Sequence, residues 1–228
     1  MLADADALGA HAVLSLGDVV GYGADPGPCL ELVAARAQAQ VAGNHEWAVC
    51  GRLDLDWFNP AARAAAVWTA ARLDAEAARF LAALPTAAGL DQAHLVHASP
   101  RAPEEWEYLL DAEEGFEVFR DFDTRLCFVG HSHRPAVWSL GSSGPEFAAR
   151  FSPYPVEIAL HAGRRYLINV GSVGQPRDHD PRAAYAVWDP GAARVEIRRV
   201  AYDHRAAAQK ILDASLPRAL AERLARGT

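Results

Sequence analysis

At 228 residues, 51% apolar and 22% charged, the chain has the size and balance of one soluble globular domain with a substantial core. A formal charge of −7 and a pI near 5.7 give it no basic field for nucleic acid or an anionic membrane surface, and it has no apolar run of about eighteen residues to span a bilayer. The N-terminus lacks the pattern of a signal peptide, and Cys29, Cys50 and Cys127 are scattered with no C-x-x-C pair, which reads as a reduced, cytoplasmic protein.

Taken in order, residues 1–9 (MLADADALG) read as the tail of a helix stopped by Gly9. Asp4 and Asp6 read as solvated surface carboxylates and His11 as a turn residue. Residues 12–16 form a short apolar strand that runs into Gly17-Asp18 and Val19-Val20-Gly21-Tyr22-Gly23. A carboxylate just past a buried strand is either a turn cap or an active-site placement in a layered α/β fold. Residues 26–38 open with prolines and carry apolar residues at helical spacing. Gln40-Val41-Ala42 then returns a strand that ends in the turn Gly43-Asn44-His45-Glu46. Strand–helix–strand order predicts a parallel pair with a right-handed crossover, which brings Asp18 and Asn44 to one sheet edge.

Residues 60–84 read as two helices meeting near Leu73-Asp74, with Trp57, Phe58 and Trp68 as packing residues. Residues 93–97 form a strand with His97 at its exit, while His94, His161 and His204 read as structural or solvated histidines. Residues 104–119 predict a loop and helix over one face. The strand Leu126-Cys127-Phe128-Val129 runs into Gly130-His131-Ser132-His133, where two imidazoles at i and i+2 can enter one site. Beyond Ala136 shorter strands are expected over residues 136–140, 156–161, 166–170, 184–188 and 195–200, with Asp189-Pro190-Gly191 as a hairpin turn. The glycine-rich stretch 171–176 reads as a tight turn, and 203–226 as helix interrupted at Pro217. No repeat or linker divides the chain, so 1–228 reads as a single domain.

Asp18, Asn44, His97, His131 and His133 therefore all stand at the exits of expected strands. One carboxylate, one amide oxygen and three imidazoles suit a borderline divalent metal better than Mg²⁺ or Ca²⁺. A carboxylate can bridge two cations, which together can clamp a phosphate and activate a water. His45, outside that set, is placed to move a proton.

Gly17-Asp18, Gly43-Asn44-His45-Glu46, a lone His97 and Gly130-His131-Ser132-His133, in this order and at strand ends, resemble the calcineurin-like metallophosphoesterases, and the likeness covers most of the chain. The stretches GDVVGYG, VHASP and GSVGQPRD are similar to the small bacterial and archaeal branch of that superfamily. The resemblance implies a mixed α/β (α+β) fold, a four-layer α/β/β/α sandwich. It implies hydrolysis of a small phosphodiester or phosphomonoester by metal-activated water, with two divalent ions (Mn, Fe, Zn or Ni). It makes Asp18 the bridging carboxylate, assigns Asn44, His97 and His131 to one metal and His133 to the other, and puts His45 beside the leaving group and Arg177 on the phosphate. It implies no membrane or nucleic-acid partner.

Members of that superfamily open with a strand carrying D-x-H, whose two side chains serve the second metal. No such strand stands ahead of Gly17-Asp18. Either Met1 is internal to a longer gene product encoding an ordinary two-metal enzyme, or the chain holds one of the two metals and covers an open sheet edge by strand exchange or as a homo-oligomer. The second case admits an alternative role, a non-catalytic interaction protein on the same scaffold.

Overall fold

The computed structural model describes residues 1–90 and 92–228, and within them a mixed α/β fold. In chain order the elements are α1 (Leu2–Ala7), β1 (Val13–Ser15), α2 (Pro26–Arg36), β2 (Ala37–Gln40), α3 (Asn44–Val49), α4 (Pro60–Ala70), α5 (Ala75–Ala83), β3 (Ala87–Leu90) and β4 (Ala93–Val96). There follow α6 (Ala112–Glu117), β5 (Leu126–Val129), β6 (Ala136–Gly141), β7 (Gly144–Ala149), β8 (Val156–Ala159), β9 (Arg165–Asn169), β10 (Ala183–Asp189), β11 (Arg194–Val200), α7 (His204–Asp213) and α8 (Arg218–Arg226).

The largest sheet has the order β3-β4-β5-β9-β6-β7, parallel where β5 lies between β4 and β9 and antiparallel at both flanks. Its central strands are buried on both faces because their side chains alternate between two cores. Leu126 and Phe128 of β5, with Leu95, Val137 and Ile168, face a core shared with Val41, just past β2, and with Val195 and Ile197 of β11. Cys127 and Val129, with Val96, Trp138 and Leu167, face a second core closed by Val118, Phe119 and Phe122, just past α6. The smaller sheets are β10-β11-β8 and the parallel pair β1-β2.

On the outer face of β10-β11 lies α1. Tyr185 and Arg198 pair across those strands and point away from the shared core. The Tyr185 hydroxyl donates to Asp4 at 2.5 Å and Arg198 Nε donates to it at 3.2 Å. The order of layers is thus helix, sheet, sheet, helix. Asp4 is therefore not the free surface carboxylate expected from sequence but the tie that seats α1. Replacing Asp4 by Ala is expected to lower stability by at most about 1 kcal/mol, since the pair is partly exposed; a melting curve indistinguishable from wild type would show that this tie contributes nothing.

Two strands escaped the sequence reading. One, β3 (AAGL), has a glycine and no β-branched residue; the other, β7 (GPEFAA), is an exposed edge strand with a proline. Two further expectations are corrected. The strand expected at 40–42 ends at Gln40, and Gly43-Asn44-His45-Glu46 is the opening turn of α3 rather than a turn in a loop. Trp57 does not pack: it is 83% exposed, while Phe58 joins the core of α2 to α5. No helix among the described residues is long and apolar enough to cross a membrane.

Candidate metal centre

The β1-β2 pair delivers two loops side by side, and Glu46 binds them together. Its buried carboxylate accepts hydrogen bonds from the backbone N–H of Asp18 (2.7 Å), Val19 (2.8 Å), Val20 (3.3 Å) and Gly43 (2.7 Å). The signal for this role was present in the sequence, since a glutamate at the third position of a helix can reach back to the N–H before it. Close approach of the two loops requires glycine. A Cβ on Gly17 would overlap the Gly43 backbone, and one on Gly43 would overlap the Asp18 carboxylate and come within 2.8 Å of His97 Cε1.

Asp18, His131 and His133 all have left-handed backbone, with φ of 55°, 58° and 59°. Non-glycine residues adopt that region at a cost, and such outliers cluster where a site over-determines the chain. Here the result is convergence: single ligand atoms of Asp18, His97 and His131 lie within 4.8 Å of one another. His97 Nε2 is 3.4 Å from Asp18 Oδ2 and 3.1 Å from His131 Nδ1, and His133 Nε2 is 3.7 Å from the same Asp18 oxygen.

The outer nitrogens decide which form each ring takes. His97 Nδ1 lies 2.6 Å from the Leu16 carbonyl and His133 Nδ1 lies 2.6 Å from the Gln175 carbonyl. A carbonyl only accepts, so both Nδ1 atoms must donate, and both Nε2 atoms are turned to Asp18. Histidine metal ligands are held in this way, by a carbonyl on the far nitrogen. Burial depresses the basicity of His133, and of His131, which falls to about 3. Burial also disfavours charge on His97, but the Asp18 carboxylate outweighs it and raises that imidazole. Asp18 itself, although burial opposes its ionisation, is held well below the usual carboxylate range by His97 and His45.

The site is thus a carboxylate faced by one proton-hungry imidazole and by the lone pair of another. A divalent cation would suit both, since Asp18, His97 and His133 turn a carboxylate oxygen and two ring nitrogens toward one point. Among the described residues, Asn44 Oδ1 and His131 Nε2 are also buried with no hydrogen-bond partner. Together they give the oxygen and nitrogen donors that borderline metals prefer.

His45 stands apart from this set. It is 1% exposed, donates its backbone N–H to Asp18 Oδ1 at 3.2 Å, and is lowered by burial to about 4. Its ring is held between Tyr22 (centroids 4.3 Å apart) and Phe58 (5.0 Å), with Nδ1 shielded against Gly21. Arg177 is beside it, donating to the Tyr22 hydroxyl at 3.2 Å. Sequence reasoning missed Tyr22, and also Tyr108, which is 48% exposed and stacks on His131 at 4.1 Å. Neither carried any signal beyond being a tyrosine in a loop. His179 is exposed and tied by its backbone to Gly227, and His94 is half-buried within β4.

No protein-family model matches the chain. It is 39% identical over 223 residues to an uncharacterized protein, MJ0912, of Methanocaldococcus jannaschii, covering 96% of this chain and 88% of that one. Among solved structures, a metallophosphoesterase from Sphaerobacter thermophilus is 41% identical, with a TM-score of 0.83 over 99% of this chain and 93% of that one. The hypothetical protein PH1004 from Pyrococcus horikoshii shares the fold at 19% identity, with a TM-score of 0.75, covering 100% of this chain and 90% of that one.

Proposed function

The chain belongs to the calcineurin-like metallophosphoesterase superfamily, and on that premise we propose that it is a metal-dependent phosphoesterase acting on a small phosphodiester or phosphomonoester. The observation that carries this reading is the pinning of His97 and His133 by backbone carbonyls so that both Nε2 atoms meet one carboxylate. Asp18, Asn44, His97 and His131 would hold one divalent ion, of the Mn, Fe, Zn or Ni class, and His133 with Asp18 would contribute to a second. Such ions, when bound, neutralise phosphate charge and lower the pKa of a water.

The chain's own residues supply the rest. Glu46 fixes the spacing of the Asp18 and Asn44 loops, so the donors are set before substrate arrives. His45, with Nδ1 shielded, has Nε2 as its open nitrogen, and it would pass a proton to the leaving oxygen once the negative charge of a bound phosphate offsets the burial that lowers it to about 4. Arg177, tied to Tyr22 beside the His45 ring, would be the cation that meets an anionic group of the substrate. The three cysteines are free, which supports a reducing, cytoplasmic setting.

Hydrolysis of bis-p-nitrophenyl phosphate should be stimulated by Mn²⁺, and His45→Ala should lower kcat by about 10²- to 10⁴-fold, the usual contribution of a positioned proton donor. Folding of that variant is checked by circular dichroism, with His45→Gln as the better-packed control. Wild-type activity no higher than that of His45→Ala would sink the enzyme reading and favour the scaffold role.

A further inference from the structure

We propose that Arg177 and the Tyr22 hydroxyl form a second anion subsite on the His45 side of the centre, so that the preferred substrate carries a further phosphate or carboxylate on its leaving group. This rests on the phosphoesterase reading, because it is the role of His45 that defines the leaving-group side.

Arg177 is arranged as a cation awaiting a partner. Its guanidinium donates only to neutral oxygens: Nη2 to the Tyr22 hydroxyl at 3.2 Å, and Nε and Nη2 to Gln175 Oε1 at 3.3 and 3.0 Å. Among the described residues no carboxylate lies in ion-pair range of it. The two acids nearest in sequence are committed elsewhere, Asp178 to the fully buried Arg199 and Asp180 to Arg182. A half-buried arginine held by neutral groups keeps its charge for a ligand, and its planar fork suits a carboxylate or phosphate.

The position is as particular as the charge. The Tyr22 ring that receives Arg177 lies 4.3 Å from the His45 ring. The Arg177 backbone N–H donates to the His133 carbonyl at 3.1 Å, and Arg134 Nε donates to the Arg177 carbonyl at 2.9 Å. The backbone that carries the guanidinium is therefore tied to the centre through His133. Arg223 of α8, whose Nε donates to the Thr228 carbonyl, is a second cation nearby, its protonation opposed first by burial and then by the Arg177 charge. A leaving group with no charge of its own leaves these cations unanswered.

The test compares three ligands by calorimetric titration at fixed free Mn²⁺ and again without metal: ethyl phosphate, phosphoglycolate, which replaces its methyl with a carboxylate, and ethylene glycol bisphosphate, which adds a phosphate. The quantity read is the ratio of affinities. Wild type should bind one or both of the doubly anionic ligands at least about tenfold more tightly than ethyl phosphate, the scale of one charge-assisted pair. Which of them gains identifies the anion. The ratio should fall towards one in Arg177→Ala, fall partly in Tyr22→Phe and survive in part in Arg177→Lys. A wild-type ratio within about twofold of one, or an undiminished ratio in Arg177→Ala, overturns the proposal. A parallel assay with bis-p-nitrophenyl phosphate separates the two failures. Without hydrolysis the phosphoesterase reading falls while the binding ratio still reads the subsite; hydrolysis with a flat ratio removes the subsite alone.

Discussion

Glu46→Ala is expected to unfold most of the site and to cost the protein on the order of 3–5 kcal/mol, a large part of the roughly 5–15 kcal/mol that holds a domain together. Four backbone N–H groups, of Asp18, Val19, Val20 and Gly43, end on this one carboxylate, with Oε2 taking Asp18 and Gly43 and Oε1 taking Val19 and Val20. Removing it leaves those donors without partners in a region that is 0% exposed at Glu46 itself. Each stranded donor costs about 1–3 kcal/mol, less whatever water enters the hole. Glu46→Gln does not rescue it, because the amide nitrogen would turn donors against two of the four N–H groups. For a chain of this length the melting temperature should fall by about 10 °C. A melt within about 2 °C of wild type would show that the two loops are held by something else.

Asp18→Asn is expected to have a different signature: little loss of fold and nearly complete loss of metal and activity. The amide keeps an oxygen for the His45 backbone N–H, which lies 3.2 Å from Oδ1. It no longer offers a charge to His97 and His133, and an amide cannot bridge cations as a carboxylate does. Metal-ion catalysis contributes several kcal/mol of charge stabilisation, so Mn²⁺-dependent hydrolysis should drop by at least about 10³-fold. Activity within tenfold of wild type would remove Asp18 from the centre.

Much of this site could be read from the chain because each donor follows a short apolar run. Asp18, Asn44, His97, His131 and His133 sit where strands run out, and a layered fold brings strand ends together. The parallel β1-β2 pair needed to bring Asp18 near Asn44 followed from strand–helix–strand order. What could not be read was set by tertiary contact. Glu46 earns its role only because the Asp18 loop crosses its carboxylate. The left-handed backbone at Asp18, His131 and His133 has only a faint signature in residue type, since Asp and His are enriched in that region but usually lie elsewhere. Tyr108 reaches His131 from a loop whose path depends on left-handed Ala102 and Trp106. The parallel register of β9 on β5 joins segments about forty residues apart, beyond any local pattern.

The central claim is that the carboxylate and imidazoles gathered around Asp18 are a metal centre rather than a buried proton-linked cluster. The most direct measurement is the melting temperature of chelator-treated protein with and without Mn²⁺, for wild type and Asp18→Asn. A metal bound only by the folded state adds about 2.7 kcal/mol at a hundredfold excess over its dissociation constant, so the wild type should gain several degrees and the variant none. Equal shifts in both proteins, or no shift in wild type across Mn²⁺ and Zn²⁺, would contradict the account.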